Sequence, residues 1–186
     1  FRKGKAHIIV NLGQGLTNES GGFIRKISDT EIEGMRLCGG FCYHSQSVFP
    51  QYFVIRVSKK PQVAGFWKKQ PNMTAEAEWD EYAGKYKVYT DYAREMAGDD
   101  LGYRFTFAAE DGEQICVQMG VSFVSCENAR QNLEAEQPAY NFDKVRTEAH
   151  RQWEDALERV KVSGGSEEHK EIFYTALYPA LLHPHV

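Results

Sequence analysis

The sequence predicts a mainly β fold with C-terminal helices: an antiparallel β-sandwich followed by a separate helical layer. Three observations predict it. The first two thirds are rich in β-branched and aromatic residues, several stretches there alternate strictly, and the hydrophobic period changes at Ser125. Strands first and helices second is the order of a β domain joined to helices, not of a βαβ fold.

Eight stretches read as strands: 6–12, 21–28, 30–37, 51–59, 64–69, 85–92, 102–110 and 113–123. In "YRFTFA" the rings of Tyr103, Phe105 and Phe107 fall on one face, and in "YFVIRV" Phe53, Ile55 and Val57 do. Period two with one apolar face marks antiparallel strands that cover a core on one side. Ser28-Asp29, Gly39-Gly40, Gly98-Asp99-Asp100 and Asp111-Gly112 supply turn chemistry between the strands. Short strands separated in this way predict two packed sheets.

Ser125 is placed to cap a short helix that runs to Pro138, with Glu127 at the positive end of its dipole. A second helix starts near Asn141 or Asp143. Its apolar residues Val145, Ala149, Trp153, Ala156, Leu157 and Val160 recur every three or four positions. Ser163-Gly164-Gly165 stops it. Ser166 then caps a third helix with Glu167 and Glu168 in the first turn and Pro184 beyond its end. Pro179 lies inside this helix and removes a backbone donor, which predicts a kink. Ile172, Phe173, Ala176, Leu177, Ala180 and Leu181 form a wide apolar stripe, widened further by Tyr174 and Tyr178. A stripe of that width belongs between other helices.

The chain has 186 residues, of which 42% are hydrophobic, enough for a core of useful size. Net charge is −4 and no basic stripe carries interleaved aromatics, so nucleic acid is not an expected partner. No apolar run approaches the ~20 residues that cross a bilayer, and no membrane partner is expected. The opening "FRKGKAHIIVNLG" lacks a signal-peptide cleavage pattern. It also begins without Met, so a piece of a longer product is expected and the compartment is not legible from it.

Candidate chemistry is sparse. Cys38 and Cys42 span a Gly-Gly turn without the second pair a zinc site needs; free thiols and a Cys38–Cys42 bridge both stay open, and Cys116 and Cys126 stand apart. Glu76, Glu78, Asp80 and Glu81 surround Trp79. That group suits a sugar or a calcium ion, and equally a solvated acidic strand start; it lacks the glycine of an EF-hand loop. Asn18 and Asn72 match the glycosylation acceptor pattern, which chance also produces. His183 and His185 flank Pro184 at a helix exit, and His150 and His169 lie on charged helix faces. Glu148, Glu154, Asp155 and Glu158 read as the wet side of the second helix. No Ser-His-Asp set, P-loop or H-E-x-x-H occurs. The residues alone give no complete active site: no catalytic residue, no metal ligand and no assigned substrate-binding residue.

The stretches "GVSFVSCENARQNLEAE" (120–136) and "FDKVRTEAHRQWEDALERVKVSGGSEEHKEIFYTALYPALLHP" (142–184) resemble glycoside hydrolase family 92. "EIEGMRLCGGFC" (31–42) and "YFVIRVSKKP" (52–61) resemble its first-domain strands more loosely. The resemblance implies a fragment of a calcium-dependent, exo-acting α-mannosidase, often α-1,2-specific. In that family a β-sandwich precedes helical linkers and a large (α/α)6 barrel. Laid on this chain, 1–124 is most of the sandwich without its first strands, 125–162 the linker helices, and 163–186 the start of the barrel domain. The apolar third helix would then pack against barrel helices encoded further on.

The family's mechanism is implied to be inverting, with an acid and a base ~6.5–9.5 Å apart around a water. Those carboxylates and the calcium ligands are expected beyond residue 186, so the fragment alone is expected to be inactive and to self-associate through its C-terminal helix. A mannose-containing glycan is the implied substrate, and a bacterial, periplasmic or extracellular enzyme the implied setting. Cys38 and Cys42 are outside the pattern that carries the resemblance. A non-catalytic carbohydrate-binding or interaction module, or a sandwich from an unrelated carbohydrate enzyme, are the alternative readings.

Overall fold

A computed structural model describes residues 1–13, 21–39, 48–70, 85–90 and 94–182. Its strands are β1 (Gly4–Asn11), β2 (Gly22–Lys26), β3 (Glu31–Gly39), β4 (Val48–Val57), β5 (Val63–Gln70), β6 (Lys85–Thr90), β7 (Glu95–Gly98), β8 (Leu101–Ala109) and β9 (Val117–Ser122). Three helices follow: α1 (Cys126–Glu136), α2 (Phe142–Leu157) and α3 (Glu167–Leu182). Two compact units divide the chain, Phe1–Tyr140 and Asn141–Val186.

The first unit is an antiparallel sandwich. One sheet has the order β1-β8-β5-β6 and the other β7-β2-β3-β4-β9. β8 sits inside the first sheet, paired with β1 and β5. Its inward rings pack in sequence, joined at one end by Phe66 of β5: Phe66 to Tyr103 at 5.0 Å, Tyr103 to Phe105 at 4.9 Å, and Phe105 to Phe107 at 6.4 Å between centroids. Ile24, Ile32, Phe53, Ile55 and Val57 close the core from the second sheet. The one-face alternation expected in "YRFTFA" and "YFVIRV" is therefore what builds the interior.

Two strand expectations differ from the structure. β7 was not legible, because "EMAG" has neither β-branched residues nor length; it pairs with β2, packs Met96 against the core and sets Glu95 2.6 Å from Arg25. The strand expected over 113–123 begins only at Val117. Gly112, at φ +76, turns the chain back, and Glu113 is then held in a loop by Lys59 at 2.6 Å. That ammonium, helped by the backbone N–H of Glu110, holds the Glu113 carboxyl below its ordinary pKa.

Helix boundaries follow their caps. Ser125 Oγ accepts from the Asn128 N–H at 3.1 Å, Asn141 Oδ1 from Lys144 at 3.0 Å, and Ser166 Oγ from His169 at 3.2 Å. Gly164 and Gly165, at φ +81 and +72, make the break before α3. α3 continues through Pro179 to Leu182.

The expected division at 124 assigns α1 to the linker helices, whereas packing joins α1 to the sandwich. Ala129 and Leu133 bury against Val54 on the outer face of β4. In the second unit the indole of Trp153 on α2 stands 4.5 Å from the ring of Tyr178 on α3. Tyr174 also donates to the Val160 carbonyl at 3.0 Å. No residue of α2 or α3 is buried.

α2 carries its own acid sensitivity. Arg151 bridges Glu148 at 2.6 Å and Asp155 at 2.7 Å. Its hydrogen bond, followed by that of Gln152, lowers the Glu148 carboxyl to a pKa of about 2 from 4.5. A depressed carboxyl stabilises above its unfolded pKa and ceases to do so as pH falls through its folded one. Far-UV circular dichroism should thus show α2 helicity falling between pH 4.5 and about 2, with a smaller fall in that window for Glu148→Gln.

Candidate functional site

The densest polar constellation among the described residues lies where α1 meets the outer face of the five-stranded sheet. β9 alternates so that Gln118, Gly120 and Ser122 face the helix. A Cβ on Gly120 would stand 2.2 Å from the Ala129 carbonyl oxygen and 2.7 Å from Leu133 Cβ. Only glycine lets the helix approach this closely. Beside it, Gln118 Nε2 donates to the carbonyls of Gln137 and Ala139 at 2.9 and 2.8 Å, which pins the chain as it leaves α1. Asn132 donates to the Val121 carbonyl at 2.9 Å.

Charges of alternating sign run across the same face: Glu95, Arg25, Glu33, Arg130, Glu31, Arg56 and Glu134. Arg130 from α1 reaches both Glu31 and Glu33 at 2.8 Å. Arg56 joins Glu31 at 2.6 Å to Glu134 at 3.0 Å. Burial works against the Arg56 charge, but its hydrogen bonds to Glu134 and Glu31 outweigh that and raise its pKa. Glu33 is buried, with its neighbouring cations on both sides. Cys126 donates to the Gly34 carbonyl at 3.4 Å, and burial, then the Glu33 charge, push its thiol pKa up. A thiol so held is a poor nucleophile.

Every carboxylate in this chain of charges has an arginine partner, so the arrangement locks a helix to a sheet. No carboxylate there is left to act as acid or base. Sequence reading did not single out Glu31, Glu33, Arg56 or Arg130. The available signal was Glu31 and Glu33 two positions apart, on the outer face of a strand whose other face is core.

The residues considered from sequence are not brought together. Cys38, Cys116 and Cys126 are free thiols, and Cys38 donates to Gln51 Oε1 at 3.8 Å; Cys42 lies outside the described residues. So do Glu76, Glu78, Trp79, Asp80, Glu81, Asn18, Asn72, His183 and His185. Asp99 does serve a turn, accepting from the Gly21 N–H at 2.7 Å beside a cavity of about 50 Å³ that Asp100 also lines. His150 pairs with Glu154 at 3.2 Å on the exposed face of α2. His169 is exposed. Among the described residues no three His, Cys, Asp or Glu side chains could hold a metal ion, and no helix is long and apolar enough to cross a membrane.

Fold and seat define a two-part chain: a β-sandwich carrying a clamped helix, then a helical unit. Residues 1–122 match the Glycosyl hydrolase family 92 N-terminal domain, and residues 128–186 match the Glycosyl hydrolase family 92 catalytic domain. The chain belongs to glycosyl hydrolase family 92. A family GH92 alpha-mannosidase from Bacteroides thetaiotaomicron superposes with a TM-score of 0.75 at 25% identity, over 98% of this chain and 23% of that one. A family GH92 inverting mannosidase from the same organism shares the fold, with a TM-score of 0.72 at 22% identity, over 96% of this chain and 21% of the other. An uncharacterized secreted glycosidase of Arthroderma benhamiae is 28% identical over 85 residues, which are 44% of this chain and 11% of that protein. The chain thus spans under a quarter of the length of these relatives.

The clamp has a measurable consequence. Arg130→Met removes the cation facing Glu31 and Glu33 and leaves their charge in a largely dry seat, which should cost up to about 3 kcal/mol. Urea unfolding followed by circular dichroism is expected to shift to lower midpoint, and a midpoint equal to that of the parent would show the network to be inert.

Proposed function

We propose that these 186 residues are the sandwich and the opening of the catalytic domain of a longer, exo-acting α-mannosidase. One observation carries the reading: the family's N-terminal and catalytic domains match one after the other along a single chain. Structural likeness to two mannosidases supports it, and one of them has also been solved in complex with mannoimidazole. By the family's plan, residues 1–124 are the sandwich, 125–162 the connecting helices, the first of which packs on the sandwich, and 163–186 the start of the barrel domain.

In the whole protein, a carboxylic acid protonates the leaving oxygen of a terminal α-linked mannose. A second carboxylate activates water on the opposite face, so the anomeric configuration inverts. The preferred linkage is α-1,2. Calcium, when bound, would supply a contact for sugar hydroxyls; its ligands, with the acid and the base, are expected outside 1–186. What this chain contributes is positioning. The clamp under α1 sets where the polypeptide leaves the sheet toward the helices. The enzyme is bacterial and exported, and it acts on mannose-containing glycans in the periplasm or outside the cell.

The full-length polypeptide assayed on α-1,2-mannobiose should release mannose, first as the β anomer by NMR. Release should cease with chelator and return with calcium. Mannose released first as the α anomer, or release indifferent to chelator, would refute the mechanism; the 186 residues alone should release none.

α3 supports a further expectation. Ile172, Tyr178, Leu181 and Leu182 are between 41% and 60% exposed, an apolar stripe that drives association when nothing covers it. By light scattering after size exclusion, the 186-residue chain should be a dimer or larger. Leu181→Glu with Leu182→Glu should shift it toward monomer.

A further inference from the structure

α1 belongs to two domains at once. The match to the family's catalytic domain begins at residue 128, inside this helix, and the match to its N-terminal domain ends at residue 122. Packing assigns the helix the other way: Ala129 and Leu133 are buried against Val54 of β4, and the first compact unit runs to Tyr140. Residues 128–140 are thus catalytic domain by sequence and sandwich by packing. Whatever ties them to the sheet ties down the start of the catalytic domain.

Gln118 ties the last of them. It is buried on β9, between Val117 and Met119, on the side of the strand that α1 covers. Both hydrogens of its amide are engaged: Nε2 donates to the Gln137 carbonyl at 2.9 Å and to the Ala139 carbonyl at 2.8 Å. Pro138, between them, has no N–H of its own to offer. Gln137 is the cap of α1, and its N–H donates to the Leu133 carbonyl at 2.8 Å. Two residues past Ala139, Asn141 caps α2. Tyr140 alone separates the tied carbonyl of Ala139 from that cap.

We propose that Gln118 is a positioning residue for the hydrolysis that the whole polypeptide performs. It acts through residues 137–139, whose course it fixes as the chain heads into α2, and not on the sugar. Its place favours this over a purely structural part. Gly120, Leu133 and the arginine network already seat α1, and Gln118 is no part of either buried apolar cluster. Its hydrogen bonds reach past the last turn of the helix instead. A misplacement of about 1 Å far from the chemistry can cost about a hundredfold in rate, so a segment held at two points directly before α2 is where such an error would begin. The inference rests on the mannosidase reading above and names one residue through which this part of the chain serves it.

Steady-state kinetics of the full-length polypeptide on α-1,2-mannobiose test it. Gln118→Leu keeps the bulk and removes both donors, and Gln118→Glu keeps the shape but sets a carboxylate against two carbonyls. Each is expected to lower kcat about tenfold or more with KM within about twofold, the pattern of stabilisation lost only in the transition state. Asn132→Leu is the control, because Asn132 donates to the Val121 carbonyl at 2.9 Å on the same seam but before the helix ends. It should lower the urea midpoint and leave kcat at the parental value. Folded Gln118 variants with parental kcat, an equal fall in kcat for Asn132→Leu, or failure of both Gln118 variants to fold would each make Gln118 a structural residue and overturn the proposal. A parent that releases no mannose removes the mannosidase reading and this inference with it, whereas an active parent leaves the variants to decide.

Discussion

The close approach of α1 to β9 governs the rest of this molecule. At Gly120 the backbone of α1 comes near enough that a single methyl group would overlap the Ala129 carbonyl. Leu133 and Ala129 are then buried against Val54. The contact also buries the second face of β4, whose other face is already core. Apolar packing alone would leave the helix free to slide. The run of alternating charges from Glu95 to Glu134 removes that freedom: Arg25 joins carboxylates of β7 and β3, Arg56 joins those of β3 and α1, and Arg130 of α1 engages Glu31 and Glu33 of β3.

That seat links fold to function. The chain leaves α1 with Gln118 holding the carbonyls of Gln137 and Ala139, so the direction in which it departs the sandwich is set by two hydrogen bonds from a buried strand residue. Positioning of this kind matters wherever reacting groups must be held in place, because small displacements of them are costly. In this family 92 chain the segment that follows α1 is thus tied back to β9 as far as Ala139. Among the described residues, Glu31, Glu33, Glu95 and Glu134 on this face are all engaged by arginines.

The two units differ in how they are held. The sandwich has a continuous core of aromatic and branched side chains from both sheets. The α2–α3 unit has none: its rings meet at Trp153 and Tyr178, and its charges pair along α2 within a few residues of one another. Exposed pairs of this kind add little stability in water. Neither helix of that unit buries a residue.

Local chemistry in the sequence determined the elements. Strict alternation placed Tyr103, Phe105 and Phe107 in the interior, the period change marked Ser125, and the caps at Asn141 and Ser166 set the helix starts. The family was legible too, since its spacing of helix, Trp153 and Gly-Gly lies within one continuous stretch. What the sequence could not display was anything made by residues far apart in the chain. β7 forms against β2, some seventy positions earlier in the chain, where Arg25 meets Glu95. Glu31 and Glu33 become an anchor only when Arg130 arrives from α1, and Gly120 is indispensable only beneath Ala129. The apolar residues of β9 look like core in one dimension, yet Val117, Met119 and Val121 are exposed, because burial depends on which strand lies opposite, and pairing across sheets leaves no periodic trace in either strand.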